Sequence, residues 1–259
     1  MAKYGVLVPA RNCAPFLAEL VARTPLPGDD DEIIVVDDAS SDGTFQIASR
    51  LPRVHVVRNE TQRGYGGTSK RLYEIALARG CDGAVNIHGD LGHAPESVTG
   101  LIDVLQRGEA DFVFGSRLLY VIEEVRKRGL GRLLVPSARG NMPLSRIAGH
   151  RVITAVQNLC YGTRLHSFHE GMRGGSRLAM EWALRTTLPD WYDFDTHLIF
   201  RAHRAGLRIT EVPLQPHYVK EAKSGVPLMR YGWRAIMTAL RHNQYVNPVE
   251  GAAHKARDI

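Results

Sequence analysis

Short apolar runs alternate with amphipathic stretches along the first half of the chain. Gly5–Val8, Ile33–Val36, Val54–Val57 and Ala84–Ile87 are compact and rich in β-branched residues. A strand covered on both faces needs apolar side chains on each, so such runs predict strands of a parallel sheet rather than a half-wet one. Between them Phe16–Val21, Thr44–Arg50 and Ser69–Arg79 carry helical patterns, and Pro95–Arg107 carries another before a fifth run at Asp111–Gly115. The alternation predicts an α/β fold: a Rossmann-type sheet, mostly parallel, with helices on both faces. Farther along the pattern loosens. The stretch 122–142 is rich in charge, Gly and Pro and reads as a mobile connection or a pair of surface helices. Helices are expected over about 144–160, 191–205 and 228–241, with a late strand at Arg208–Val212. One domain over 1–249 is expected, with a flexible tail at 250–259.

Ligands of parallel sheets sit beyond the carboxyl ends of the strands. The residues there are Pro9-Ala10-Arg11-Asn12, Asp37-Asp38, Arg58-Asn59 and His88-Gly89-Asp90. Ser41 or Asp42 suits the N-cap of the helix starting near Thr44. That leaves Asp37 and Asp38 to explain; a carboxylate there can accept from a nucleobase imide or ribose hydroxyls. Asp90 suits a divalent cation, Mn2+ or Mg2+, whose remaining positions substrate phosphates fill. His88 or His93 could add an imidazole, which Mn2+ tolerates better than Mg2+. Gly89 and Gly92 would let the backbone approach a diphosphate. The plain alternative is a turn with an exposed Asp and two solvated histidines.

Composition narrows this picture. The 259 residues carry a formal charge of +6, which suits nucleic acid, an anionic membrane or a phosphate-rich ligand. The basic residues are spread, apart from Arg126-Lys127-Arg128 and the Lys255 and Arg257 pair in the tail. No basic stripe interleaved with aromatics is present, so nucleic acid is not expected as a partner. The three cysteines are scattered, which predicts neither a zinc site nor a disulfide framework and points to a reducing compartment. There is no signal-peptide pattern and no apolar run of the roughly 20 residues a spanning helix needs. The expected location is therefore cytoplasmic, or peripheral at a membrane. Leu228–Arg241 interleaves Met229, Trp233, Ile236, Met237 and Leu240 with Arg230, Arg234 and Arg241. It could lie on a membrane, though a core-packing amphipathic helix is the favoured reading.

The ordered set of motifs resembles glycosyltransferase family two. Val8-Pro9-Ala10-Arg11-Asn12 and Ile34-Val35-Val36-Asp37-Asp38-Ala39-Ser40-Ser41-Asp42-Gly43-Thr44 look like the opening of that family. Arg63-Gly64-Tyr65-Gly66-Gly67-Thr68-Ser69-Lys70, His88–Glu96, Gly115-Ser116-Arg117, His169–Arg173, Phe194-Asp195-Thr196 and Glu211-Val212-Pro213 follow in the family's order. The resemblance spans roughly residues 5 to 235 and is closest to dolichyl- and polyprenyl-phosphate sugar synthases and bacterial polysaccharide transferases. It implies a GT-A fold, a metal-dependent nucleoside diphosphate sugar donor, most simply a UDP-sugar, and usually inversion. It divides the chain into a nucleotide-sugar half, 1–118, and an acceptor half, 119–249. By position it implies that Pro9, Ala10, Arg11, Asn12, Asp38, Ser40, Lys70 and Gly89 line the nucleotide site, with Asp38 on the base or ribose. Asp90 matches the last Asp of the family's Asp-x-Asp motif and should hold the metal.

Three positions depart from the family pattern. His88 stands where the first Asp of that motif is usual, Gly92 where Gln or Ser is, and Ser167 where an Asp is. On the acceptor side Glu170, Arg173 and Asp195 are the catalytic candidates. A hydroxyl acceptor needs a base, for which Asp195 or Glu170 would serve. A phosphate acceptor is already ionised and needs a cation, for which Arg173 would serve. The competing expectation is an internal Arg173–Asp195 salt bridge. His197 and His217 are read as structural. The acceptor is expected to be a polyprenyl phosphate or a soluble small molecule. The other functions weighed are sugar-phosphate nucleotidyl transfer, disfavoured because Pro9–Asn12 is no Gly-rich loop, and non-catalytic binding of a nucleotide sugar.

Overall fold

A computed structural model describes residues 2–131, 144–215 and 228–241. Seven strands, β1 (Tyr4–Ala10), β2 (Glu32–Asp37), β3 (Val54–Arg58), β4 (Gly83–Asn86), β5 (Phe112–Ser116), β6 (Arg173–Ser176) and β7 (Ile209–Pro213), form one sheet in the order β3-β2-β1-β4-β6-β5-β7. The helices are α1 (Ala14–Arg23), α2 (Thr44–Ala48), α3 (Gly64–Ala78), α4 (Val98–Gln106), α5 (Arg117–Arg128), α6 (Leu144–Tyr161), α7 (Arg177–Arg185), α8 (Phe194–Arg204) and α9 (Leu228–Leu240). Alternate residues of the apolar strands feed two cores. Leu7, Ile34 and Phe112 join α3, α7 and α8 on one face, and Val6, Val35 and Val113 join α1 and α4 on the other. The sequence thus reveals the sheet because both of its faces are covered.

The pairs β1–β2, β2–β3, β1–β4 and β5–β7 are parallel. The strand β6 runs antiparallel to both neighbours and was not expected. Its sequence, Arg-Gly-Gly-Ser, carries no β signal; the glycines are there because a Cβ on Gly174 would stand 2.8 Å from Val113 Cγ1. Running backwards, β6 places its first residue, Arg173, at the carboxyl edge, opposite Asn86 and Phe114.

Local chemistry sets several boundaries. The residue capping α2 is Gly43, at φ +87°, rather than Ser41 or Asp42. Asp42 still serves both helices: Thr44 N donates to one of its oxygens at 3.1 Å and Ala14 N to the other at 3.1 Å. The start of α3 lies five residues before the expected Ser69, in Gly64-Tyr65-Gly66-Gly67. Those glycines are poor helix formers, but a Cβ on Gly66 would overlap the Pro189 carbonyl, so close docking of the 188–190 loop selects them. The 122–142 stretch begins as part of one helix, α5, not a loose connection; residues 132–143 lie outside the described set. Its basic cluster is a solvated face, with Lys127 on Glu123 and Arg128 on Glu124 one turn away. The tail 250–259 with Lys255 and Arg257, and His217, also lie outside the described residues.

Candidate functional site

The carboxyl edge gathers the loops that follow β1, β2, β3 and β4. The first two are stitched together: Asn12, at φ +49°, donates its N–H to Ser40 Oγ at 2.9 Å, and its side-chain oxygen accepts from Ser41 N at 2.9 Å. Arg11 is exposed and donates to the Asp38 carbonyl at 2.7 Å; Pro9 and Ala10 form the packed base beneath. Asp37 is fully buried, accepts from Ser40 N and pairs with Arg58 at 3.3 Å.

Asp38 does a different job from the one expected of it. Its carboxylate accepts from Asn59 Nδ2 and Arg63 N, both at 2.7 Å, and from Gly64 N at 3.0 Å. It therefore anchors the N-terminus of α3, where the helix dipole favours an anion. Beside it opens a cleft of about 320 Å3 lined by Arg58, Glu60, Thr61, Arg63 and Arg71, a cationic wall of which sequence reading named Arg58 as a strand-end residue and Arg63 within a motif but not Arg71. Lys70 is also reassigned: its ammonium pairs with Asp190 at 2.6 Å and donates to the Leu188 carbonyl at 3.0 Å, closing the 188–190 loop over α3. Packing already requires Gly89, since a Cβ there would come 2.8 Å from Cys13 Sγ. A larger cleft, of about 560 Å3, lies between α4, α5 and the end of β7 and contains none of the candidate residues.

Asp90 sits half-buried in the turn after β4. Gly92 N donates to its Oδ1 at 2.9 Å; its Oδ2 accepts no hydrogen bond among the described residues. Behind it lies His88, whose Nε2 is 3.4 Å from the Tyr65 hydroxyl and packs so tightly on Gly171 that a Cβ there would overlap the ring. Tyr65 gives its proton to Asp195 Oδ2 at 3.0 Å. Its oxygen can then only accept from His88, which assigns the His88 proton to Nε2 and leaves Nδ1 with its lone pair. Burial holds the His88 imidazole down to about 4, so it is neutral at pH 7. His93 stacks edge-on against His88 with ring centroids 5.7 Å apart. Among the described residues neither ring nitrogen of buried His93 has a hydrogen-bond partner; a carboxylate oxygen of Glu170 is 3.7 Å away.

The expected metal set of Asp90, His88 and His93 needs correction. No group of three or more His, Cys, Asp or Glu side chains able to hold a cation exists among the described residues. His88 directs Nε2 at Tyr65 instead. The residues still fit a divalent cation of the kind that takes one carboxylate and completes its shell with phosphate oxygens. Asp90 has an oxygen to spare for it, and His93 is a buried imidazole with both nitrogens unpartnered among the described residues.

On the acceptor side the internal salt bridge is what forms. Arg173 is 0% exposed and its guanidinium holds Asp195 Oδ1, the Tyr65 oxygen, Tyr73 Oη at 3.2 Å and Ser69 Oγ at 3.0 Å. Burial pushes the Asp195 carboxyl up, against the pull of Arg173. Arg173 and Asp195 are thus a buried brace, 0% and 5% exposed. Glu170 is engaged too. Burial, the largest influence, would raise it, but Arg117 at 2.8 Å together with His93 and His150 outweighs that and holds it at about 2. Arg117 and Tyr65 were missed by residue-by-residue reading. Both lie inside quoted motifs, yet only the packing shows that Arg117 reaches Glu170 and Tyr65 reaches His88 and Asp195.

Three histidines whose rings are largely withdrawn from water make stability acid-sensitive. Burial holds His88, His169 and His197 at about 4, 3 and 4 against 6.5 ordinarily. From pH 6.5 down to about 4 the unfolded chain binds protons that the folded chain refuses, so folding free energy is lost as pH falls. Glu170 adds a loss below 4.5, as pH drops toward 2. Urea midpoints taken at about pH 7, 5.5 and 4.5 should fall steadily; an unchanged midpoint across that range would show these imidazoles titrating as exposed ones do.

The family model described as glycosyl transferase family 2 matches residues 5–181. The polyprenol monophosphomannose synthase of Mycolicibacterium smegmatis is 28% identical over 216 residues, 81% of this chain and 75% of that protein. Glycosyltransferase AglD of Haloferax volcanii is 32% identical over 224 residues, 81% of this chain but only 32% of that longer protein. Among solved structures, mannosyl-3-phosphoglycerate synthase from Rubrobacter xylanophilus matches with a TM-score of 0.66 at 18% identity, covering 95% of this chain and 76% of that one. Glucosyl-3-phosphoglycerate synthase from Mycobacterium tuberculosis, in complex with Mn2+, uridine diphosphate and glucosyl-3-phosphoglycerate, matches at 0.59 and 19% identity over 95% and 82%. At these identities the structures speak for the fold.

Proposed function

The chain belongs to glycosyl transferase family 2, a glycosyltransferase with the GT-A fold, and from that premise we propose that it transfers a sugar from a UDP-sugar to the phosphate of a polyprenyl monophosphate, with inversion. The observation that carries this reading is that both candidate bases are locked in ion pairs. Asp195 is held by Arg173 and Tyr65, and Glu170 by Arg117, which keeps it at about 2. Glu170, so depressed, is a weak base, ill suited to take a proton from a hydroxyl near pH 7, and Asp195, though burial pushes it up, is buried with its oxygens engaged by Arg173 and Tyr65. A phosphate monoester is already an anion and asks for cations instead. Arg117 lies 2.8 Å from Glu170, and His93 and His150 are also close to it.

In this reading the Arg11–Asn12 and Ser40–Ser41 loops and the arginine-lined cleft receive the nucleotide. Asp90 would hold a divalent cation, Mn2+ or Mg2+, which would supply charge neutralisation to the leaving diphosphate. An acceptor phosphate oxygen forms the new bond to the anomeric carbon from the face opposite the diphosphate, whose C–O bond breaks and carries its electron pair away with UDP. His88 stays neutral through this, its proton held toward Tyr65. The three free cysteines, with Cys13 and Cys81 pushed by burial to about 12 and 11, suit a reducing, cytoplasmic location.

The test offers UDP-glucose, UDP-N-acetylglucosamine and GDP-mannose with Mn2+, each with a polyprenyl monophosphate or with phosphoglycerate, and detects products by mass spectrometry. A glycosyl phosphodiester of the lipid, made from a UDP-sugar, is expected. Transfer only to the phosphoglycerate hydroxyl would overturn the acceptor, and turnover of GDP-mannose alone would overturn the donor.

A further inference from the structure

The outer surface of α6 breaks the usual rule for a solvent-facing helix. Its exposed residues Ala148, Val152, Ala155 and Leu159 follow one another at spacings of four, three and four, which is a single apolar stripe. Leu159 is 87% and Val152 63% exposed. On α9, which packs beside α6 with Gly232 against Ile153, Trp233 and Leu240 are 65% and 61% exposed. They are seven residues apart and so share a face as well. The inner side of α9 does pack into the core, through Ala235, Thr238 and Ala239, so the expectation of a core-packing helix is met on that side only.

Charge distinguishes what these helices can meet. Residues 144–161 and 228–241 together hold five arginines and no Asp or Glu, in a chain with 27 acidic residues. Arg151 and Arg241 are exposed beside the apolar residues, as is Arg234, which also reaches Asp193 at 2.9 Å. Tryptophan and leucine flanked by arginine, with no acid, is the composition that settles at the headgroup–acyl boundary of an anionic bilayer. A protein partner would require no such one-sided charge. No helix among the described residues is long and apolar enough to cross a membrane, so contact would be with its surface.

We propose that α6 and α9 form a docking face for a bilayer containing anionic lipid. The position of α6 gives the face a purpose. His150 lies against His169 with ring centroids 6.0 Å apart, next to Glu170, so the same helix borders the acceptor-side charges and bears the apolar stripe. A bilayer on the stripe would lie about one helix diameter, roughly 10 Å, from those charges, within reach of a lipid phosphate. This purpose rests on the polyprenyl-phosphate reading; the face itself does not.

The experiment floats the full chain with vesicles of phosphatidylcholine alone or with phosphatidylglycerol. It compares the wild type with the triple variant Val152→Ser, Leu159→Ser, Trp233→Ser, and assays both on a short, water-soluble prenyl phosphate. All three positions are exposed, and an unchanged melting temperature verifies folding. The wild type should float with the anionic vesicles; the variant's bound fraction should fall about tenfold or more while its turnover of the soluble acceptor is kept. A wild type that fails to float, or a variant that floats equally well, overturns the docking face. So does a concentration-dependent dimer of the wild type that the variant loses, which would assign the stripe to a second copy. Vesicle binding without transfer to any phosphate acceptor would instead sink the proposed function and leave the docking face standing.

Discussion

Substituting Asp90→Ala is expected to lower sugar transfer by about a thousandfold, the scale of removing one principal stabiliser of leaving-group charge, while the fold survives. The residue is half-buried and its carboxylate makes one internal hydrogen bond, to Gly92 N at 2.9 Å, so little folding energy depends on it. The companion variant Asp90→Asn keeps an acceptor for that hydrogen bond and loses only the charge. If the carboxylate holds a divalent cation against the donor phosphates, both variants lose turnover alike and both lose Mn2+-dependent binding of UDP in calorimetry. If Asp90 merely shapes its turn, Asp90→Asn retains activity. Wild-type turnover undiminished by a chelator would remove the metal from the reaction altogether.

The second large effect is on stability. Asp195→Ala leaves the Arg173 guanidinium, 0% exposed, without its carboxylate, and an orphaned buried charge typically costs about 3–5 kcal/mol. For a chain of this size that corresponds to a melting temperature lower by roughly 10 °C or more. Denaturant unfolding of Asp195→Ala, Arg173→Met and the double variant separates structure from chemistry. The double variant should recover much of the loss, because replacing both charges removes the desolvation penalty along with the attraction. A stable Asp195→Ala protein that had lost only turnover would return Asp195 to the role of base and reopen a hydroxyl acceptor.

How far the site was legible in advance varies residue by residue. Asp90 stood out as a candidate because a single carboxylate after a buried parallel strand has few structural duties, and in the structure Gly92 N is its one hydrogen-bond donor among the described residues. Asp38 was readable as important, but its duty was not. An Asp at a strand end looks the same whether it meets a nucleobase or the amides of Arg63 and Gly64, and only the path of the chain after β3 brings those amides to it. Lys70 was misplaced for a similar reason: nothing within the Arg63–Lys70 segment reveals that the loop bearing Asp190 returns to meet it. The Arg173–Asp195 pair was foreseen as an alternative, and burial decided for it.

The sequence by itself determined the α/β class, five of the first strands and the edge on which the chemistry lies. Those properties follow from local periodicity and from the rule that a doubly covered parallel strand must be apolar throughout. Tertiary structure alone decided the antiparallel β6, which has no local preference of its own and fits between β4 and β5 because Gly174 and Gly175 leave room for Val113 and Phe112. It likewise decided which carboxylates are spent on arginines and which one keeps an oxygen to spare, because the partners are 22 residues apart for Arg173 and Asp195 and 53 for Arg117 and Glu170. Ion pairing depends on distance in space, and local pattern carries no information about which distant residues the folded chain makes neighbours.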